Sequence, residues 1–207
     1  MNVAAQPSTS TIILNLSDTV VAGIPGVESR LSSRFGIAPE TVIPAFCHPS
    51  VEDACLGNLS DTAYLEKVIE NGKWSISTDE LRQELFENFR SVVEGMPELL
   101  EELSQQGFSL VLESNHLREW INHIETIHPF LAKVFEHRVL SFETGQLNKT
   151  PAAFAAIAAR IHRLPAECLY IGNSSTSCEA AEAAGMHAIL FHSASELRQC
   201  LAELILI

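Results

Sequence analysis

The residues with chemical potential fall in four short polar runs, three of them directly after an apolar stretch. They are Asn15-Leu16-Ser17-Asp18, Glu113-Ser114-Asn115, Asn148-Lys149 and Gly172-Asn173-Ser174. Amides and hydroxyls dominate. An amide bears no charge and is a poor nucleophile, so Asn15, Asn148 and Asn173 suit hydrogen bonding better than covalent attack. A serine hydroxyl titrates far above pH 7, which makes Ser17 a poor general acid. Ser114 can bond an anionic oxygen or cap the helix that follows, two readings of equal weight. Asp18 stands where the chain turns away and suits a turn residue. Strand alternation directs Glu113 to the side opposite Ser114, which argues against a catalytic role for it.

Metal and thiol chemistry have little support. His116, His123 and His128 share a segment, but intervals of seven and five do not set two of them on adjacent helical turns. Cys47, Cys55, Cys168, Cys178 and Cys200 are odd in number and contain no C-x-x-C pair, so reduced structural thiols are expected rather than a zinc site or disulfide framework. Cys47 and His48, like Cys178, have no partner visible in the sequence. Twenty-six acidic against 13 basic residues give a net charge of −13 with no basic window. That disfavours nucleic acid and anionic membranes as partners, and phosphorylated ligands as well.

The elements that must position these runs follow from hydrophobic pattern. A chain of 207 residues, 46% hydrophobic and 19% charged, can bury a full core. Five short apolar runs read as buried strands: Thr11 to Leu16, Phe108 to Leu112, Arg138 to Ser141, Cys168 to Ile171 and His187 to Phe191. Helix-period segments alternate with them: Pro97 to Gln105, Leu117 to Ile127, Pro151 to His162, Ser177 to Ala184 and Ser195 to Ile205. This alternation predicts an α/β fold, a Rossmann-like parallel sheet of about five strands with helices on both faces. Between Gly23 and Val93 no strand is evident. Helical segments at Val27 to Phe35, Pro39 to Phe46, Ala63 to Glu70 and Thr78 to Arg90 predict a small helical cap inserted after the first strand, with Ser77 and Glu80 as a capping box. The expected division is a core of residues 1–22 and 94–207 with a cap of 23–93. No apolar stretch is long enough to span a bilayer and the first residues lack the pattern of a signal peptide, so a cytoplasmic location is expected.

In an open parallel sheet, ligands bind beyond the carboxyl ends of the strands, where all four polar runs fall. Their order, spacing and placement resemble the four motifs of haloacid dehalogenase-type (HAD) hydrolases over nearly the whole chain. The subgroup most similar has a Phe-Asp-Leu-Gly-Asn first motif and includes sugar-phosphate phosphatases and the amino-terminal domain of some epoxide hydrolases. The resemblance implies an aspartate nucleophile at Asn15, a general acid or glycine at Ser17 and a phosphate-binding hydroxyl at Ser114, followed here by Asn115. It implies a lysine three residues after Gly145, where Asn148 stands with Lys149 one place late. Acids holding Mg²⁺ are implied at Asn173 and nearby, where the chain has Ser174, Ser177 and Cys178.

Ser114 alone matches the family's requirement. Losing a nucleophile from a catalytic set costs about a million-fold in other covalent enzymes, so little phosphatase activity is expected. Accordingly no cofactor and no metal is expected, Mg²⁺ being implied only for an active site. Asn15, Asn148 and Asn173 are expected to bond one another in a neutral cluster, which avoids like charges facing each other without a cation. The resulting expectation is a HAD-like pseudoenzyme that binds a protein partner or small ligand, with a homodimer possible. The alternative is a hydrolase of small phosphorylated metabolites or halo-acids working through an atypical site.

Overall fold

The computed structural model describes residues 9–204. The chain enters as β1 (Thr11–Asn15) and then runs through five helices, α1 (Val27–Phe35), α2 (Pro39–Phe46), α3 (Ser50–Cys55), α4 (Asp61–Gly72) and α5 (Thr78–Asn88). Helix α6 (Met96–Gln105) leads into β2 (Ser109–Ser114), α7 (Arg118–Ile127), α8 (Leu131–Val134) and β3 (His137–Leu140). Then come α9 (Ser141–Thr144), α10 (Pro151–Arg160), β4 (Cys168–Gly172), α11 (Ser175–Ala183), β5 (His187–Leu190) and α12 (Ala194–Glu203). All strand pairs are parallel and the spatial order is β3-β2-β1-β4-β5. The strand bearing Asn15 is therefore central, flanked by those ending in Ser114 and Gly172.

Side-chain alternation splits the core into two layers. Ile12, Leu14, Leu110, Leu112, Leu169 and Ile171 face one way, onto α6, α7, α12 and the helices inserted after β1. Ile13, Val111, Val139 and Tyr170 face the other, onto α10 and α11. Ile12, Ile13 and Leu14 are fully buried, and each such side chain contributes about 1.5–3 kcal/mol. This two-sided burial makes β1 a continuous apolar run and leaves its polar residues only at the exit.

Local signals set the element ends. Ser77 Oγ accepts the Glu80 N–H at 3.2 Å and Glu80 returns an acceptor to the Ser77 N–H at 2.8 Å, forming the expected capping box. Thr150 caps α10 with Pro151 in its first turn. The expected extension of that helix to His162 fails because His162 adopts φ +57°, a left-handed conformation that ends α10 at Arg160. Ser141 opens α9 instead of closing β3. Helices α3, α8 and α9 were not legible in the sequence, being four to six residues long and too short for helical periodicity to register. Of the expected last helix, Ile205 lies outside the described residues. None of the described helices is long and apolar enough to cross a membrane.

Candidate functional site

The carboxyl ends of β1, β2 and β4 carry two separate hydrogen-bond networks, one on each side of β2. The first is built on Glu113, which pairs in register with Asn15 and is only 1% exposed. Its Oε2 accepts Asn15 Nδ2 at 3.2 Å and the Tyr170 hydroxyl at 3.4 Å, while Oε1 accepts Asn148 Nδ2 at 2.8 Å. Burial raises the Glu113 carboxyl to about pH 7, against the opposing pull of the three donors, Asn148 first. Gly172 leaves room for this arrangement, since a Cβ there would strike the Tyr170 hydroxyl.

These contacts correct the expected asparagine cluster. Asn15 and Asn148 meet the same carboxylate instead of each other. Asn173 stands exposed after β4 and takes no part in the cluster. Alternation did turn Glu113 away from Ser114, as the sequence suggested, but that side is the one Asn15 and Asn148 occupy. The available signal was a lone acid in an otherwise apolar buried strand, which requires partners of its own.

The second network is a line of three side chains. Ser17 Oγ lies 2.7 Å from His116 Nε2, and His116 Nδ1 lies 2.5 Å from Ser114 Oγ. Ser114 is fully buried, whereas Ser17 and His116 are partly exposed. Desolvation of the ring lowers the His116 imidazole to about pH 4. Sequence reasoning set His116 among possible metal histidines and missed its place two residues beyond Ser114. The other two serve elsewhere: His128 Nε2 meets the Phe89 carbonyl at 2.7 Å, and His123 stacks on Phe86.

Loops lock around these networks. Asp18, at φ +54°, turns its carboxylate back to accept the Gly23 N–H at 2.8 Å, the turn role expected of it. The Asn148 N–H donates to Asn115 Oδ1 at 2.8 Å, joining the third polar run to the second. Helix α3 docks on the same loops: Cys55 Sγ donates to the Asn115 carbonyl at 3.2 Å, and Ser141 Oγ donates to the Cys55 carbonyl at 2.5 Å. Lys149 points outward to Glu52 at 3.3 Å. Cys178 is buried, with Sγ 3.7 Å from the Gly172 carbonyl, and His48 bonds Ser50 within the loop before α3.

A fold of this kind implies Mg²⁺, and the residues do not fit it. The one carboxylate in the first network has both oxygens engaged by N–H or O–H donors, and Asp18 is committed to its own turn. Among the described residues, no group of three His, Cys, Asp or Glu side chains can hold a metal ion.

A family model described as haloacid dehalogenase-like hydrolase matches residues 40–191. The chain belongs to this HAD family. The matched range begins beyond Asn15 and does not include the first polar run. A HAD-family enzyme from Bacteroides thetaiotaomicron, solved with magnesium and inorganic phosphate, superimposes with a TM-score of 0.73 at 15% identity, covering 89% of this chain and 95% of that one. A HAD-like hydrolase from Porphyromonas gingivalis gives 0.74 at 15% identity over 96% and 98% of the two chains. A hydrolase from Streptococcus pneumoniae gives 0.63 at 23% identity over 94% and 99%. At these identities the likeness is one of fold. No curated protein matches the sequence.

Proposed function

We propose that this HAD-family chain has given up aspartyl-phosphate chemistry and is a pseudoenzyme with respect to that reaction, its cleft serving to recognise a protein partner or small ligand. The observation that carries this reading is the commitment of Asn15 and Asn148 to Glu113. The family places a nucleophile and a cation at those two positions. Here both are neutral donors to one buried acid, so neither the covalent step nor compensation of phosphate charge has a residue to perform it. A net charge of −13 further disfavours a phosphorylated ligand. The described cysteines are all free thiols, which suits the reducing cytoplasm.

The test is a panel of phosphate esters with Mg²⁺, run on the parent and on a variant carrying Asn15→Asp, Ser17→Asp, Asn148→Lys and Asn173→Asp. The parent should show no turnover above a heat-denatured control. Steady Mg²⁺-dependent turnover by the parent, lost on Asn15→Ala, would establish instead a hydrolase with an atypical site.

A further inference from the structure

The Ser17–His116–Ser114 line has the connectivity of a nucleophile, a base and the group that holds the base. We propose that Ser17 is a nucleophile served by His116, and that it takes an acyl group from a small neutral ester. Its hydroxyl lies 2.7 Å from Nε2, within reach for direct proton transfer, and the pair is partly open to solvent. Gly23 leaves space beside the Ser17 hydroxyl, since a Cβ there would come to 3.0 Å from Oγ and 2.7 Å from Asp18 Oδ2. The imidazole is neutral, as a base must be, because burial holds its protonation far below neutral pH. Ser114 fixes the ring from the other nitrogen.

Proton direction matters. Among the described residues the buried Ser114 hydroxyl meets only Nδ1, so at rest it donates there and Nε2–H points at Ser17. Reactivity requires the reversed line, with Nδ1–H donating to Ser114 and Nε2 accepting from Ser17. That leaves the Ser114 hydrogen without an acceptor and lowers the reactive population roughly ten- to a hundredfold. General-base assistance is worth about a hundred- to ten-thousandfold for a base matched to the operating pH, and an imidazole lowered to about 4 is a weaker base, so the net gain expected is about tenfold.

The step balances as follows. Ser17 Oγ bonds to the ester carbonyl carbon while its proton passes to His116 Nε2. The carbon–oxygen bond to the leaving alcohol then breaks, and that oxygen takes the proton from Nε2. Water attacks the acyl-serine by the same route, releasing the acid and restoring Ser17. A neutral carbonyl is favoured over a phosphate ester because the nearby cations are committed, Lys149 to Glu52 and Arg118 to the face of Phe142 at 4.4 Å. Negative charge on the acyl group is disfavoured by the acidic chain.

The probes are p-nitrophenyl acetate and a serine-directed fluorophosphonate, with the modified residue mapped by peptide mass spectrometry. One label per chain is expected at Ser17, abolished by Ser17→Ala and slowed about tenfold by His116→Gln. Ser114→Ala should slow labelling and Ser114→Thr should retain it, which separates positioning from mere loss of packing. Ser17→Cys guards against a folding artefact: its thiol should react with iodoacetamide faster than the exposed Cys47, and His116→Gln should remove that advantage. Labelling confined to other residues, or labelling of Ser17 at the same rate with and without His116, overturns the proposal. Phosphate-ester turnover bears on the Asn15 side of the cleft and acylation on the Ser17 side, so this inference and the proposed function fail separately.

Discussion

Glu113 and Ser114 are neighbours on one strand, yet they head networks of opposite character. The Glu113 network is closed: the carboxylate is 1% exposed and both of its oxygens have donors from Asn15, Asn148 and Tyr170. The Ser114 network is open, ending at a partly exposed hydroxyl on Ser17. One step of strand alternation thus separates an acid that holds three strand ends together from a hydroxyl line that faces solvent. A buried charge with satisfied partners is expensive to disturb, whereas an exposed hydroxyl can exchange its partner for water.

The largest test of that contrast is Glu113→Leu, which strands the Asn15, Asn148 and Tyr170 donors in an apolar setting. It should cost about 3 kcal/mol in urea unfolding, since each neutral donor left buried without an acceptor costs about 1–3 kcal/mol. A cost below about 1 kcal/mol would break the comparison, because it would mean the network is not holding the strands.

Titration sharpens it next. Burial raises the Glu113 carboxyl from 4.5 to about 7, and desolvation lowers the His116 imidazole from 6.5 to about 4. The signs oppose. The folded chain holds a proton on Glu113 that the unfolded chain has released, so this contribution is full below pH 4.5 and is lost as pH rises through about 7. The unfolded chain holds a proton on His116 that the folded chain refuses, so this contribution is full above pH 6.5 and is lost as pH falls through about 4. The two nearly cancel where they overlap, giving the parent a shallow stability profile between pH 4.5 and 6.5. Glu113→Gln should unmask a rise in stability with pH across that window, and His116→Gln a fall, both measured by chemical denaturation at several pH values. Profiles that stay parallel to the parent's would remove the buried acid and the buried base from the account.

Asn15→Asp is the next smaller perturbation. It sets a second carboxyl at the 3.2 Å contact with Glu113, and the pair then shares one proton. Stability should fall by about 1–2 kcal/mol at pH 8 and change little at pH 4.5, since only the charged forms repel. Ser17→Ala should cost least, about 0.5 kcal/mol, because His116 can turn to water at a partly exposed position. A Ser17→Ala loss as large as that of Glu113→Leu would erase the distinction between closed and open networks.

The sheet was legible because two-sided burial writes itself as apolar runs such as Thr11 to Asn15 and Cys168 to Gly172. The inserted helices were legible from periodicity and from the Ser77/Glu80 cap, except α3, whose six residues carry no helical period. Three of the polar runs lie at the ends of β1, β2 and β4, and Asn148-Lys149 lies in the loop between α9 and α10. Their wiring was not legible. Whether Asn15 meets Glu113 or Asn173 depends on the β1–β2 register, a long-range pairing that sequence spacing does not specify. The partnership of His116 was hidden for the same reason: Ser17 is 99 positions away along the chain.

The central proposal is that Asn15 and Asn148, at the positions of the family's nucleophile and lysine, are committed to Glu113 and leave no place for Mg²⁺. Its most direct test is the thermal midpoint of the parent and of Asn15→Ala titrated with millimolar MgCl₂ at constant ionic strength. We expect both to be insensitive to Mg²⁺ beyond the response to CaCl₂ used as a control salt. A saturable, Mg²⁺-specific rise in the parent that disappears in Asn15→Ala would contradict the claim and return the cleft to metal-dependent chemistry.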